Sequence, residues 1–457
     1  MATVKNTFCG SLRPMSHRLA LPLALWLCWL PTVAHAGNDE EFSLGNRASM
    51  LGGAVAATVD DASAIWYNPG GLGGVERDQL DVTGTVYSLR FYSVPGMLAT
   101  TQGESRDGSV TEFVALPNSI AYLRLLRPGL TLGYGYFAPH SANNVVRENL
   151  DDRNGDPRSQ WQIASAVADN QQVFAASIGA ALTPRVRLGV SLLGGYSTTL
   201  SSVAAFGAVF AGDEVQAATS VDASVTSTQI TAQLGAGVQL DLAPQFVLGL
   251  ALRSPELRIY SSSDQFSNSN VGSLDDVDQP LLRAASRREE SSEPIALRRL
   301  GRAVVSLAYR YAGGSIALET DLQPGVSGVS GEPDRRFLVN ARAGWYQRLD
   351  KMFALGVGLL TDRRPEARRY ALGSGTADCY GGTLGVELSN EHQLAPGERA
   401  KSLIFNTVFA GRYAYCFGDF GRIVGDPRVV STELFVIEKG SMYSHELSLY
   451  MGSGLRF

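Results

Sequence analysis

Glu446-Leu447-Ser448-Leu449-Tyr450-Met451-Gly452-Ser453-Gly454-Leu455-Arg456-Phe457 decides the fold. Leu447, Leu449, Met451, Ser453, Leu455 and Phe457 share one face, and Glu446, Ser448, Tyr450, Gly452, Gly454 and Arg456 the other. A period of two marks an extended strand, because successive side chains of a strand point to opposite sides. One face is mainly apolar and the other polar or small. That suits a strand with lipid on one side and a barrel interior on the other. The pattern recurs at Val186, Leu188, Val190 and Leu192, at Ile230, Ala232, Leu234, Ala236, Val238 and Leu240, and at Phe353, Leu355, Val357 and Leu359. A soluble β-sandwich alternates too. Its strands are shorter, and its core accommodates fewer glycines than the 49 present here.

Read this way, the chain is all-β: a transmembrane antiparallel β-barrel of about fourteen strands with an N-terminal plug in its lumen. The strands are expected near 79–92, 114–125, 130–138, 171–182, 186–200, 226–240, 245–260, 301–311, 315–322, 337–348, 353–361, 379–388, 403–413 and 446–457. Connections after even-numbered strands are mostly short: Leu126–Gly129, Thr183–Arg185, Asp241–Pro244, Ala312–Gly314 and Leu349–Met352. Those after odd-numbered strands read as long loops, as at 139–170, 201–225, 261–300 and 414–445. Outer-membrane barrels have short periplasmic turns and longer external loops, so the parity places both termini in the periplasm. Ser389–Ser402 breaks the parity, and Pro117 sits inside the second strand, where it withholds a ladder donor.

An export signal precedes this. Lys5, Arg13, His17 and Arg18 form a basic region, Leu19–Leu30 a short apolar core, and Ala34-His35-Ala36 a small-x-small cleavage site. The apolar run is too short to span a bilayer comfortably, which favours cleavage over an anchor. Leu25-Trp26-Leu27 before Cys28 is too bulky for a lipoprotein signal. Residues 1–36 are therefore assigned as signal peptide, 37–78 as plug and 79–457 as barrel. Without the signal, 36 Lys and Arg face 44 Asp and Glu, a balance of −8 that gives nucleic acid no basic patch. An exported barrel places the protein in the outer membrane of a Gram-negative bacterium. Outer-membrane lipid, lipopolysaccharide and the barrel assembly machinery are then its expected partners. The last strand, ending in Phe457, resembles the signal such barrels present to that machinery.

Asp60-Asp61-Ala62-Ser63-Ala64-Ile65-Trp66-Tyr67-Asn68-Pro69-Gly70-Gly71-Leu72 resembles the start of the mature FadL-type transporters of long-chain fatty acids and other hydrophobic compounds. Gly70 stands where that motif has Ala. Leu248-Gly249-Leu250-Ala251-Leu252-Arg253-Ser254-Pro255 is similar to a Ser-Pro strand of the same family. The resemblance covers the layout of the whole chain. It implies fourteen strands, a plug of roughly forty residues, and passive uptake of hydrophobic small molecules such as fatty acids. Asp60, Asp61, Asn68, Pro69 and Gly70 become the plug or gating residues. Residues 43–76 are rich in Gly, Ala and Ser, poor material for an independent core and suited to a segment satisfied by lumen polar groups. Asp81, Arg187, Arg253, Glu319, Asp321, Arg342, Glu387, Arg412 and Arg456 fall on the lumen face.

The stretch Ser202–Ala211 is apolar within an expected external loop. As a helix, Val203, Phe206 and Phe210 would share a face and form a ligand-capture groove. The alternative is that the fifth strand simply continues. Arg283–Arg302 mixes charges and reads as a solvated surface loop, with binding of lipopolysaccharide phosphates as the alternative. No cofactor, metal cluster or phosphate-binding loop is legible. His140, His392 and His445 are isolated, and His140 beside Ser141 is adjacency rather than a triad, so no catalytic residue is assigned. A secretion-accessory barrel that binds a surface protein, or a lipid hydrolase, are the alternatives. Cys379 and Cys416 remain after signal removal and are expected to form a disulfide between the outer ends of the twelfth and thirteenth strands, pinning the loop 414–445.

Overall fold

The computed structural model describes residues 42–273, 281–293, 295–325, 327, 335–364, 375–393, 402–426 and 435–457. The export segment and residues 37–41 of the assigned plug lie outside them. Fourteen strands form the wall. They are β1 Gln79–Thr100, β2 Ser105–Arg127, β3 Leu130–Asp152, β4 Arg158–Thr183, β5 Val186–Ala211 and β6 Glu214–Ala243. β7 runs as Phe246–Arg253 and Glu256–Ser273, interrupted at Ser254-Pro255, and β8 as Leu281–Glu293, Ala296–Arg299 and Arg302–Tyr311. β9 Gly314–Gln323, β10 Leu338–Arg348, β11 Phe353–Asp362, β12 Gly375–Gln393, β13 Ser402–Gly425 and β14 Phe435–Arg456 complete the ring.

Each strand pairs antiparallel with the next, and β14 returns to β1 from Gln79↔Arg456 to Ser93↔Tyr443. Closure is required because an open edge would leave unpaired N–H and C=O groups in hydrocarbon. β9, β10 and β11 have 10, 11 and 10 residues, the length a tilted strand needs to cross a bilayer. β4, β5 and β6 have 26, 26 and 30 residues and project well beyond it. The outward faces carry exposed Ile178, Leu192, Leu234, Leu252, Leu318, Leu359 and Leu384, a belt that only lipid would cover. On β14 the same face runs Tyr443, Leu447, Met451, Phe457, exposed throughout, with aromatic residues at both ends.

All fourteen strands fall where the alternation places them, and the short turns stand as expected. Four expected long loops are corrected. Residues 139–152 and 158–170 continue β3 and β4, 201–211 and 214–225 continue β5 and β6, and 261–273 and 281–293 continue β7 and β8. Residues 414–425 and 435–445 likewise belong to β13 and β14. The charged stretch from Arg283 is therefore largely strand, with Arg288 paired to Asp264 at 2.8 Å. The reason is physical. Beyond the bilayer neither face meets lipid, so hydropathy stops alternating, as in Ser141-Ala142-Asn143-Asn144, while the backbone ladder continues. The long connection between β12 and β13 shrinks to 394–401, outside the described residues.

Pro117 lies at a register shift between β1 and β2, where the Asn118 Oδ1 accepts from the Thr85 N–H at 3.1 Å and replaces the lost ladder bond. Cys379 and Cys416 are directly opposite each other in the β12–β13 ladder and are joined as a disulfide. Both are buried, so the bridge ties wall to wall inside the barrel instead of pinning a loop at its rim. Unreduced, denatured mature protein is expected to show no maleimide-reactive thiol; two labelled thiols per chain would contradict the bridge and this register.

Candidate functional site: the barrel interior

The segment Phe42–Val75 folds as α1 Asn46–Met50, α2 Ala64–Tyr67 and a 3-10 turn Pro69–Gly74. Nearly all of it is buried, although helices this short bury little of their own. Its partners come from all round the wall. Ala56 N–H donates to Glu319 Oε2 on β9 at 2.9 Å, and Thr383 Oγ1 on β12 donates to the Met50 carbonyl at 2.7 Å. Gln239 Nε2 on β6 donates to the Val59 carbonyl at 2.9 Å, and Ser191 Oγ on β5 to that of Ile65 at 3.1 Å. Thr83 and Asp81 on β1 bond Asn46 and Ala62. A segment touching strands on every side is enclosed by them.

Glycines on the inner wall make room for it. A Cβ on Gly249 would lie 2.5 Å from the Ala56 carbonyl oxygen and 2.6 Å from the Ala57 Cα. On Gly356 it would meet the Met50 Cβ at 2.6 Å, and on Gly237 it would collide with the Asn68 Oδ1. Asn68 is wholly buried. Its Nδ2 donates to the carbonyls of Ala56 (2.7 Å) and Val238 (3.0 Å), and its Oδ1 accepts from the Gly70 N–H (3.0 Å). Pro69 follows at the start of the 3-10 turn, where its fixed φ fits and no donor is missed. Gly70 explains its own departure from the usual alanine: a Cβ there would stand 3.0 Å from the Gln239 nitrogen.

Asp60 is exposed and lies 3.3 Å from Arg47. Against the effect of desolvation, Arg47 and Arg456 hold its carboxyl below the usual range. Asp61 is buried, and its carboxylate accepts from the Ser63 N–H at 2.9 Å and from the Ser63 hydroxyl. Burial pushes this carboxyl up, with neighbouring Asp60 adding to the shift. The lumen-face charges read from the sequence meet the segment, one another or further side chains of the wall. Arg253 stacks over Trp66 at 4.0 Å and donates to its carbonyl at 2.8 Å, and Glu319 lies 3.3 Å from Arg342. Arg187 pairs with Asp241 at 2.9 Å, Asp321 takes Arg302 at 2.8 Å, and the Tyr346 hydroxyl donates to Glu387 at 3.1 Å.

Val203, Phe206 and Phe210 are not brought together. They lie in β5, paired with Ser165, Gln162 and Arg158, so Val203 falls on the opposite face from Phe206 and Phe210, and the helical groove is withdrawn. Ser141 Oγ bonds Asn170 Oδ1 at 2.7 Å, while the neighbouring His140 faces Asp169 at 3.5 Å.

Two features had no signal in the sequence. A cavity of about 70 Å³ lies beside Trp66, lined by apolar Val173, Leu193 and Pro139 and by charged Arg253, Glu256, Arg302 and Arg335. Beside it the β2–β3 ladder ends at Ser119↔Phe137, between Pro117 and Pro139. The segment reaches this seam: Phe42 N–H donates to the Pro139 carbonyl at 3.3 Å and Asn118 Nδ2 to the Ser43 carbonyl at 3.4 Å. Beyond it, Glu112 bridges the two strands, its carboxylate taking Arg90 at 3.1 Å and the Asn143 N–H.

Among solved structures, a FadL homologue from Pseudomonas aeruginosa matches with a TM-score of 0.60 at 10% identity, over 92% of this chain and 99% of that one. The Pseudomonas putida toluene transporter TodX matches with a TM-score of 0.51 at 11% identity, over 90% and 98%. No family model and no curated protein matches the chain by sequence. At these identities the likeness establishes the fold, a closed FadL-like barrel.

Gly249→Val is expected to unseat the segment and raise single-channel conductance in planar bilayers several-fold. Gly194→Val, whose Cβ would meet only the Phe174 carbonyl at 3.9 Å, is expected to conduct like the unaltered protein. Equal conductance of all three would count against close seating. Asn68→Ala orphans buried partners and is expected to lower stability by about 1–3 kcal/mol in denaturant titration.

Proposed function

We propose that the chain is a passive conduit in the outer membrane of a Gram-negative bacterium, carrying hydrophobic small molecules with one polar or anionic end, long-chain fatty acids among them. Phe42–Val75, with the residues before it, is the plug. One observation carries this reading: the cavity beside Trp66, whose lining combines apolar Val173, Leu193 and Leu300 with three arginines and one glutamate. Such a lining suits a molecule with an apolar body and a charged head, because a guanidinium is a strong partner for carboxylate. The solved structures with this fold are described as a FadL homologue and a toluene transporter, which agrees with hydrophobic cargo.

The physical need is plain. A lipopolysaccharide leaflet resists apolar solutes, and a water-filled pore gives them no favourable path. A binding cavity beside a movable segment offers them one without an energy source. The cavity volume of about 70 Å³ accommodates part of an acyl chain, so binding requires the lining to move. Pro139 lines both cavity and seam, which makes the gap between β2 and β3 a side route once Phe42 withdraws. The outward groove along Leu132, Ile178, Leu192, Leu234 and Leu252 faces lipid and serves the bilayer rather than the cargo.

Arg253→Gln is expected to weaken binding of a fluorescent long-chain carboxylate to the purified protein about tenfold, equivalent to roughly 1.4 kcal/mol. Binding of a neutral aromatic hydrocarbon should change far less. Equal losses for both would remove the case for a charged head.

A further inference from the structure

We infer that the tip of the β1–β2 hairpin is a lid folded across the outer mouth of the barrel, hinged at Pro95-Gly96. This goes beyond the transport reading and does not depend on which molecule is carried.

The ladders carry the argument. β1 follows β14 as far as Ser93↔Tyr443 and then departs from it. Leu98, Ala99 and Thr100 pair instead with Ile423, Val424 and Gly425 of β13, in parallel, the only parallel pairing among the described residues. Those β13 residues already pair with β14 through one edge, so β1 holds their other edge. β1 has therefore crossed behind β14 to the edge of β13 that faces away from it. It reaches that edge only by passing over the lumen.

The hinge is visible in the chain. The β1–β2 register breaks between Val94↔Gly108 and Leu98↔Arg106, where Pro95 and Gly96 intervene, and Gly96 adopts φ +59°. Beyond the break two ladder pairs, Leu98↔Arg106 and Ala99↔Ser105, and the Thr100 N–H donating to the Glu104 carbonyl at 2.8 Å hold the tip together. By contrast the β4–β5 hairpin stays zipped to Arg158↔Phe210.

The underside of the tip is apolar and its rim is polar. Met97 and Leu98 are 1% exposed and pack into a cluster with Leu150, Trp161, Phe420 and Met442, side chains from the strands on both flanks of the hairpin. Met97 lies on Gly108, whose missing side chain admits it. At the rim Thr100 Oγ1 donates to Asp152 Oδ2 at 3.1 Å, Gln102 Nε2 to the Asp156 carbonyl at 2.8 Å, and Thr101 Oγ1 to Asp426 Oδ1 at 3.2 Å. The Thr101 N–H donates to the Gly425 carbonyl at 3.0 Å. A few rim hydrogen bonds and a three-residue ladder to β13, over an apolar floor, make a closure that opens without dismantling the β1–β14 wall. An apolar molecule arriving from outside competes for that same floor, so the lid admits solutes able to displace Met97 and Leu98 and excludes polar ones.

The test uses the full-length barrel in the outer membrane of intact cells. Met97→Cys places a thiol under the lid, and the native cysteines are already bridged. A membrane-impermeant maleimide is expected to label it at a slow, finite rate. An added Thr101→Cys/Asp426→Cys cross-link, verified by mass, should slow labelling at least tenfold, with recovery in reductant. Equal rates with and without the cross-link overturn the lid. Labelling as fast as a surface thiol overturns its closure, and no labelling at all overturns its opening. Should Met97→Cys disturb the seat, spin labels at Thr101→Cys and Arg153→Cys read the same motion. Two distance populations are expected, and a single short distance refutes the hinge. None of these readouts involves cargo, so failure of the transport reading leaves the result interpretable.

Discussion

A backbone threaded through a barrel has neither water nor a ladder of its own, and every N–H and C=O that its short helices and turns leave open must find a partner on the wall. The interior of this protein is organised by that constraint. Glu319, Thr383, Ser191 and Asp81 each take one backbone group of Phe42–Val75, and Gln239 takes two. An unmet buried group costs about 1–3 kcal/mol, so the set jointly fixes one seat for a segment without a core of its own. Inner-wall glycines are the steric half of the same arrangement, since the segment approaches the strands at Gly237, Gly249 and Gly356 more closely than any Cβ permits.

The interior therefore has levels. At the short-turn end the segment is bonded to its seat and fills the lumen. Midway, the Trp66 cavity joins apolar surface to an arginine cluster beside the β2–β3 seam. Toward the outer mouth, an apolar cluster around Trp161 closes beneath the β1–β2 tip. Polar side chains hold the segment, while burial of Met97 and Leu98 holds the tip, worth about 1.5–3 kcal/mol per large side chain. The two contacts thus differ in balance, the segment held chiefly by side-chain hydrogen bonds and the tip by apolar burial together with its rim bonds and the β13 ladder.

The sequence revealed the wall because lipid imposes a period of two, and the fourteen strands, the short turns and the Cys379–Cys416 bridge all follow from it. It revealed the inward charges by the same parity. Strand ends above the bilayer were illegible for the converse reason: where water lies on both sides, Ser141-Ala142-Asn143-Asn144 reads as loop although it is ladder. Val203, Phe206 and Phe210 misled because an apolar run of small and branched residues fits a helical face and a paired strand equally well, and the β4 partner decides between them. The cavity, the seam and the crossing of β1 to β13 depend on contacts between residues far apart in the chain, which no local pattern carries.

The central claim, passive passage of hydrophobic solutes past the internal segment, is tested most directly by uptake in intact cells. Initial rates of radiolabelled long-chain fatty acid uptake would be compared between cells that produce the protein and cells that lack it, with a small hydrophilic tracer as control. The account requires faster uptake of the hydrophobic label in producing cells, without an equivalent rise in the tracer. Equal hydrophobic uptake in both strains, or a matching rise in the tracer, would contradict it.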